Sequence, residues 1–349
     1  MKKISLRQVG RQLLADLIGK DVYRGVTHTY TLLANQFGHF ALGFIPVTIF
    51  YSLRIADHLP GFSSHWPWAG WAGGCIIFES GNYWYSILLY RRAARRKFGM
   101  NDFPFKPSWP QLRLDLITDM GFFFTGASCA GWLFLRTTWL MWVFILSLVI
   151  FKSIFFHWYI IKIYVQEALF PFQFRLSQWT LPISDENKIA ALSFRENRQK
   201  GRHLLVFSDQ LAEKASLCIG IATEMAFRKT SCLYVTAMQL LPRFSKDLPD
   251  SNHSLDLVSI WTWREVDVLL IDDINPTHSG ADEMFTAEMF YNEIHDETFR
   301  EENLAALKEK NVIWMLGSDN PERKKEKSWR ENLLLKIGIP AERITVIHL

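Results

Sequence analysis

Only four of the 349 residues are cysteine, and no two of them form a CxxC pair. Cys75, Cys129, Cys218 and Cys232 therefore read as small apolar side chains, and a disulfide framework, a redox couple and a cysteine zinc site are set aside. The chain also lacks a repeat of fixed period and any low-complexity tract, which excludes solenoid architectures. The N-terminal MKKISLRQVGRQLLADLIGKDVYRG is polar and charged, with no short apolar run ahead of a small-residue cleavage site, so no secretory signal peptide is expected. A more telling absence lies in HLLVFSDQLAEKAS (203–216). It begins like a buried strand and ends like a helix, yet no glycine lies between Ser208 and Ser216.

What the chain has in plenty is apolar and aromatic residues, concentrated in 27–164. A hydrocarbon core of about 30 Å needs ~20 mostly apolar helical residues, and four windows meet that length, at roughly 31–53, 68–90, 116–135 and 139–162. Lys2, Lys3, Arg7, Arg11, Lys20 and Arg24 precede the first window, and Arg91, Arg92, Arg95, Arg96 and Lys97 follow the second. The loops on the other side carry only Arg54 and Arg136. Positive charge collects on the cytoplasmic side, so both termini are predicted to be cytoplasmic in a bacterial inner membrane. Trp66, Trp68, Trp71, Trp109 and Trp139 fall near the window ends, as an interfacial belt would. Leu6, Val9, Leu13, Leu14 and Leu17 recur at helical spacing beside Arg7, Arg11 and Lys20. Segment 1–26 is thus an amphipathic cytoplasmic helix, lying either on the inner leaflet or against its own protein.

Ionisable groups inside spans are costly and hence functional candidates. His39, Glu79, Asp119 and His157 occur once per window, with Asn35 and Asn82 a turn from the first two and Lys152 also in the fourth. The Glu-x-x-His pairs of di-iron bundles are missing, so no metal site is expected. An interhelical polar network and a proton or ion path remain. Gly70, Gly73, Gly74 and Gly81 in the second window, and Gly121, Gly126 and Gly131 in the third, allow close helix packing or self-association.

Residues 165–200 read as a linker containing Pro171 and Pro182. Beyond it strands and helices alternate, which predicts a parallel sheet with crossover helices over 201–349. The expected strands are HLLVF, SCLYVT, VDVLLID, NVIWML and RITVIHL. The expected helices are 209–228, about 237–246, 282–309 and about 327–337. VDVLLIDDIN (266–275) has the form of a Walker B strand ending in Asp272 and Asp273, although acidic residues at a strand end also serve simply to reach solvent or cap a helix.

In this order of elements, and in HLLVFSDQLAEKASLCIGIATEMAFRKTSCLYVTAMQLL in particular, residues 203–320 resemble the AAA+ ATPases of the helicase-loader and transposition-helper type (DnaC and IstB), which are close to the initiator DnaA. The resemblance implies a P-loop-like α/β fold in which Lys214 matches the Walker A lysine, Asp272 and Asp273 the Walker B pair, and Ser318 to Asn320 the sensor-1 region. The four spans are no part of that family's pattern.

The departures matter more. On the template GxxxxGK[ST], whose glycines, amides and lysine hold phosphate, Ser208 and Glu213 take the glycine positions and Ala215 the hydroxyl position. Non-glycine residues forced to positive φ cost about 1–2 kcal/mol each. The Glu213 carboxylate ~4 Å from a phosphate oxygen would be repelled by ~4 kcal/mol at an effective dielectric of 20. The alternative is an ordinary helix start, capped by Ser208 or Asp209, with Asp209 and Glu213 supplying negative charge to the free amides.

The sequence therefore predicts a four-helix membrane domain fused to an AAA+-like pseudo-ATPase. This would be a scaffold, sensor or effector coupling a cytoplasmic partner, or a second copy of itself, to the bilayer, with phage-defence or mobile-element systems as one setting. No cofactor is expected. Weak ATP and magnesium binding through Lys214 and Asp272 belongs to the alternative of a tethered ATPase, and a gated channel or transporter is a third reading. The segment 321–336 (PERKKEKSWRENLLLK) is either a solvated helix or a contact for nucleotide, nucleic acid or acidic lipid; nucleic acid is not favoured as a partner.

Overall fold

The computed structural model describes residues 3–18, 26–55, 64–196, 199–244, 260–274, 286–294, 299–319 and 322–349. By its internal contacts the chain divides into a helical unit, residues 26–103 and 107–160, and an α/β unit formed by residues 1–25, 104–106 and 161–349.

Four long helices build the helical unit: α2 (His28–Ser52), α3 (Trp66–Phe98), α4 (Trp109–Leu135) and α5 (Thr138–Glu167), the last of which runs on into the α/β unit from Ile161. Each apolar window falls on one helix, the first running one residue past α2 to its cap, Leu53. Two of the four, α2 and α5, are long and apolar enough to cross a membrane by length and composition. Local chemistry sets their ends. Thr27 accepts the Tyr30 amide at the start of α2, prolines stand in the first turns of α3 and α4, and Gly99 ends α3 at φ 68°.

Helices α2 and α4 meet backbone to backbone. A Cβ at Gly126 would lie 2.1 Å from the Phe40 carbonyl oxygen, and one at Gly43 would lie 2.1 Å from that of Phe123. Only glycine permits this approach. Gly126 was expected at such a contact and Gly43 was not, whereas Gly73, Gly74 and Gly81 face open space. Below this seam Trp68 packs edge-on to Phe124 and tilts against Trp139, in a core with Val47, Ala72, Ala127, Ala130 and Leu140. Large apolar side chains remain exposed on α3 (Ile77, Phe78, Trp84) and α5 (Trp142, Leu146, Val149).

In the α/β unit the strands are β1 (His203–Phe207), β2 (Cys232–Thr236), β3 (Val268–Asp272), β4 (Asn311–Leu316) and β5 (Ile344–His348). All neighbours are parallel, in the order β2-β3-β4-β1-β5. The central strands are buried on both faces, which is why they read as unbroken apolar runs rather than alternating ones.

The connections fix the layers. The chain leaving β1 travels past β4 and β3 to reach β2, whereas the chain leaving β4 travels the other way past β1 to β5. Right-handed crossovers place these on opposite faces. Helix α7 (Leu211–Ala226) covers one face and packs against α6 (Asp185–Glu196). On the other face lie α9 (Ala287–Ile294), α10 (Arg300–Glu309) and α11 (Lys324–Glu331), where Trp314 of β4 meets Phe290 at 5.1 Å and Trp329 at 5.3 Å between ring centroids.

Several expected elements are redrawn. The helix expected at 237–246 is a short α8 (Ala237–Leu240) followed by a single 3-10 turn, because Pro242 lacks the amide that a continuing helix needs. Helices α9 and α10 share the stretch 282–309; α9 ends at Ile294 and α10 begins at Arg300, with 275–285 and 295–298 outside the described residues. The last helix starts at Lys324 and passes into a π-helical turn over Asn332–Ile337; it packs one face through Trp329, Leu333 and Ile337 and leaves the other, mixed-charge face in solvent.

Residues 165–200 are packed too. Arg175 makes a two-pronged ion pair with Glu224 of α7 at 3.0 and 3.2 Å and lies over the Phe227 ring at 4.1 Å, and Ala168 accepts the Tyr234 amide on the open edge of β2. Trp179 and Phe194 are buried. Proline and polar content hid a segment that closes a sheet edge.

Two predictions follow from this packing. Gly126→Ala sets a methyl group against a backbone carbonyl that no rotamer change can relieve, so it should destabilise the helical unit by roughly 1–3 kcal/mol. Gly73→Ala should be neutral, as read from thermal unfolding in detergent. In the sheet, His203 is fully buried and burial holds its imidazole down to about 4, with Nδ1 accepting from Trp314 Nε1 at 3.0 Å. A histidine with a depressed folded value gives stability that is complete above ~6.5 and is lost as pH falls towards 4, about 3 kcal/mol in all. Unfolding of His203→Gln should lose that part of the wild-type pH slope.

Candidate functional site

In an open parallel sheet the crevice for a ligand lies at the carboxyl ends of the strands where neighbouring connections diverge. Here that point is between β1 and β4. The chain turns from β1 into α7 through only Ser208, Asp209 and Gln210, and α7 begins at Leu211. Gln210 holds the cap position without a side-chain hydrogen bond, and Ser208 Oγ accepts the Gln210 amide at 3.1 Å. The expected capping by Ser208 or Asp209 is therefore replaced by a tight serine turn just before the helix. No residue from 208 to 215 has positive φ. The strain that a phosphate loop would impose on Leu211, Ala212 and Glu213 is avoided because they are helical. Glu213 sits in the first turn of α7, where its charge complements the free amides.

Lys214 follows, and its side chain does not face solvent. It is 1% exposed, and Nζ donates to the Leu316 carbonyl at the end of β4 at 2.9 Å. Burial pulls the ammonium below its ordinary value, with the nearby Asp272 and Asp273 charges opposing this. Asp272 ends β3, buried, with Oδ2 accepting from Tyr234 Oη at 2.7 Å and Oδ1 from the Asp273 amide at 2.8 Å. Asp273 is exposed at φ 55°, and desolvation together with Asp272 pushes its carboxyl above the usual range. The Tyr234 phenol is likewise pushed up, by burial first and then by Asp272. Lys214, Asp272 and Asp273 thus gather at the carboxyl edge of the sheet, with Lys214 Nζ and both Asp272 oxygens occupied by the chain itself.

The third expected element is similarly engaged. Asp319 accepts the Lys325 and Glu326 amides in the first turn of α11 at 3.0 and 2.9 Å, and Ser318 is exposed. Asn320 lies outside the described residues. Tyr234 and the Leu316 carbonyl were not foreseen. A tyrosine inside a strand carries no signal beyond its apolar ring, and a backbone acceptor carries none.

In the helical unit, one of the expected meetings occurs. His39 Nε2 stands 3.4 Å from Asp119 Oδ1, which also accepts from Gln36 Nε2 at 2.7 Å, and the His39 ring is edge-on to Phe123. Gln36 is the residue missed, although its i, i+3 spacing to His39 places both on one helix face. Asn35 and Asn82 are exposed, Glu79 is half-buried outside direct hydrogen bonding with this cluster, and Lys152 and His157 are exposed on α5, with Lys152 Nζ 6.0 Å from the Phe156 ring centre. Among the described residues no three His, Cys, Asp or Glu side chains are grouped to hold a metal ion. An apolar cavity of about 340 Å³ lies between α2, α4 and α5, walled largely by Phe37, Phe40, Phe122, Phe151 and Phe155.

No protein-family model matches the chain, and no curated protein matches it.

The geometry of Asp273 makes a prediction. A carboxyl raised in the folded state favours folding below its unfolded value and weakens it as pH rises through the folded value. Asn also tolerates left-handed φ better than Asp. Asp273→Asn should therefore be neutral to stabilising at pH 7 to 8, with its advantage over wild type shrinking as pH falls. Urea unfolding across pH 4 to 8 measures this.

Proposed function

We propose that this protein is a multi-pass membrane scaffold whose α/β domain keeps the frame of a nucleotide-binding fold without binding nucleotide in the usual way. In this reading all four long helices span a bacterial inner membrane. Both termini and the α/β domain are cytoplasmic, and the domain presents its helical faces to a protein partner. Exposed aromatic and aliphatic side chains on α3 and α5, and the basic run ending α3 at Arg95, Arg96 and Lys97, support the membrane part.

One observation carries the loss of nucleotide binding: the buried Lys214 ammonium donating to the Leu316 carbonyl, behind a three-residue turn. A phosphate group at this crevice needs a loop that wraps it and a cation that reaches it. The turn offers few amides before the helix begins. The cation would have to leave a carbonyl and cross back over Glu213. With Ala215 at the hydroxyl position, magnesium would also lack its usual side-chain ligand.

The test is a thermal-shift titration of the purified full chain with ATP and magnesium into the millimolar range. The expected result is no saturable change in Tm, for wild type and Lys214→Ala alike. A saturable rise in wild type that Lys214→Ala abolishes would establish the tethered-ATPase reading instead.

A further inference from the structure

Helix α1 (Leu6–Ile18) has a packed side and an open side. Val9 and Asp16 are buried and Leu13 is half-buried, and the turn before the helix is fixed by the Ile4 amide donating to Tyr164 Oη at 3.3 Å. That stripe holds α1 to the α/β unit. At 100° per residue Leu6, Leu14, Leu17 and Ile18 share an arc of about 120° on the open side and are 86%, 56%, 59% and 54% exposed. Arg7 and Arg11, both exposed, lie on the same open side, one to each side of Ile18. The only acidic residue of α1, Asp16, is buried on the far side.

We infer that the Leu6, Leu14, Leu17 and Ile18 face of α1 lies in the headgroup boundary of a bilayer containing anionic lipid, with Arg7 and Arg11 on the lipid phosphates. The occupant is a lipid surface for two reasons. The exposed charges of the helix are all positive and stand among its exposed apolar residues, where a long arginine can bury its stem and reach an anionic headgroup. Moreover, nine residues separate Ile18 from His28, where the first of the two helices apolar enough to cross a membrane begins. A chain of that length reaches about 35 Å when fully extended, so α1 stays close to the surface that α2 enters. The sequence left open whether α1 meets lipid or its own protein. In the structure it is arranged for both, with one stripe anchored and another open. The inference rests on the membrane reading proposed above, and adds that the α/β domain touches the membrane through α1 in a lipid-dependent way.

The experiment uses the full chain in nanodiscs, with an environment-sensitive fluorescent amino acid at position 14. One set of discs is phosphatidylcholine and the other contains about a third phosphatidylglycerol. The expected result is a blue-shifted emission and at least about fivefold weaker quenching by aqueous iodide in the anionic discs. The double variant Arg7→Glu, Arg11→Glu should lose that difference, and both arginines are exposed, so the fold is not at stake. Position 14 freely quenched in both lipids would overturn the inference. So would protection that is the same in both lipids and in the double variant, which would mean a protein contact. Alkaline carbonate separates the two levels: extraction of the chain from membranes overturns the membrane reading and this inference together, whereas a resistant chain with an open position 14 overturns the inference alone.

Discussion

The account turns on one hydrogen bond, from the buried ammonium of Lys214 to the carbonyl of Leu316. It joins the first turn of α7, the helix that follows β1, to the end of β4, beside which a parallel sheet opens its ligand crevice, and places the protein's own charge there. A buried ammonium is costly without partners. Here it has a carbonyl at hydrogen-bond distance and the field of Asp272 and Asp273 beyond.

The two aspartates fit this frame without a nucleotide. Asp272 closes a local network with Tyr234 Oη and the Asp273 amide, which uses both of its oxygens. Asp273 takes the left-handed turn that leads the chain out of β3. At the carboxyl ends of the strands, Asp272 ties β3 to β2 through Tyr234, and Lys214 ties α7 to β4. Asp319 does the same for the start of α11.

Much of this was legible in the sequence, and the physical reasons are specific. The central strands β1, β3 and β4 could be read because both-face burial leaves unbroken apolar runs, and the missing glycines before Lys214 foretold a helix start. The direction of the Lys214 side chain could not be read, because its acceptor is a backbone atom more than a hundred residues away. Gly43 was overlooked because its role depends on the Phe123 carbonyl of another helix. His39 and Asp119 were named as polar residues in separate helices and do meet, while Asn35, a turn away, points outward and Gln36 takes its place. Residues 165–200 looked like a linker because their composition is mixed, yet Arg175 and Ala168 seal α7 and the edge of β2.

The most direct measurement is an experimental structure of the full chain purified with saturating ATP and magnesium. The account predicts Lys214 Nζ within hydrogen-bond reach of the Leu316 carbonyl, as at 2.9 Å here, and α7 starting at Leu211 with no phosphate against residues 208–215. Ordered triphosphate on a reopened 208–215 loop, with Lys214 swung out to it, would contradict the account.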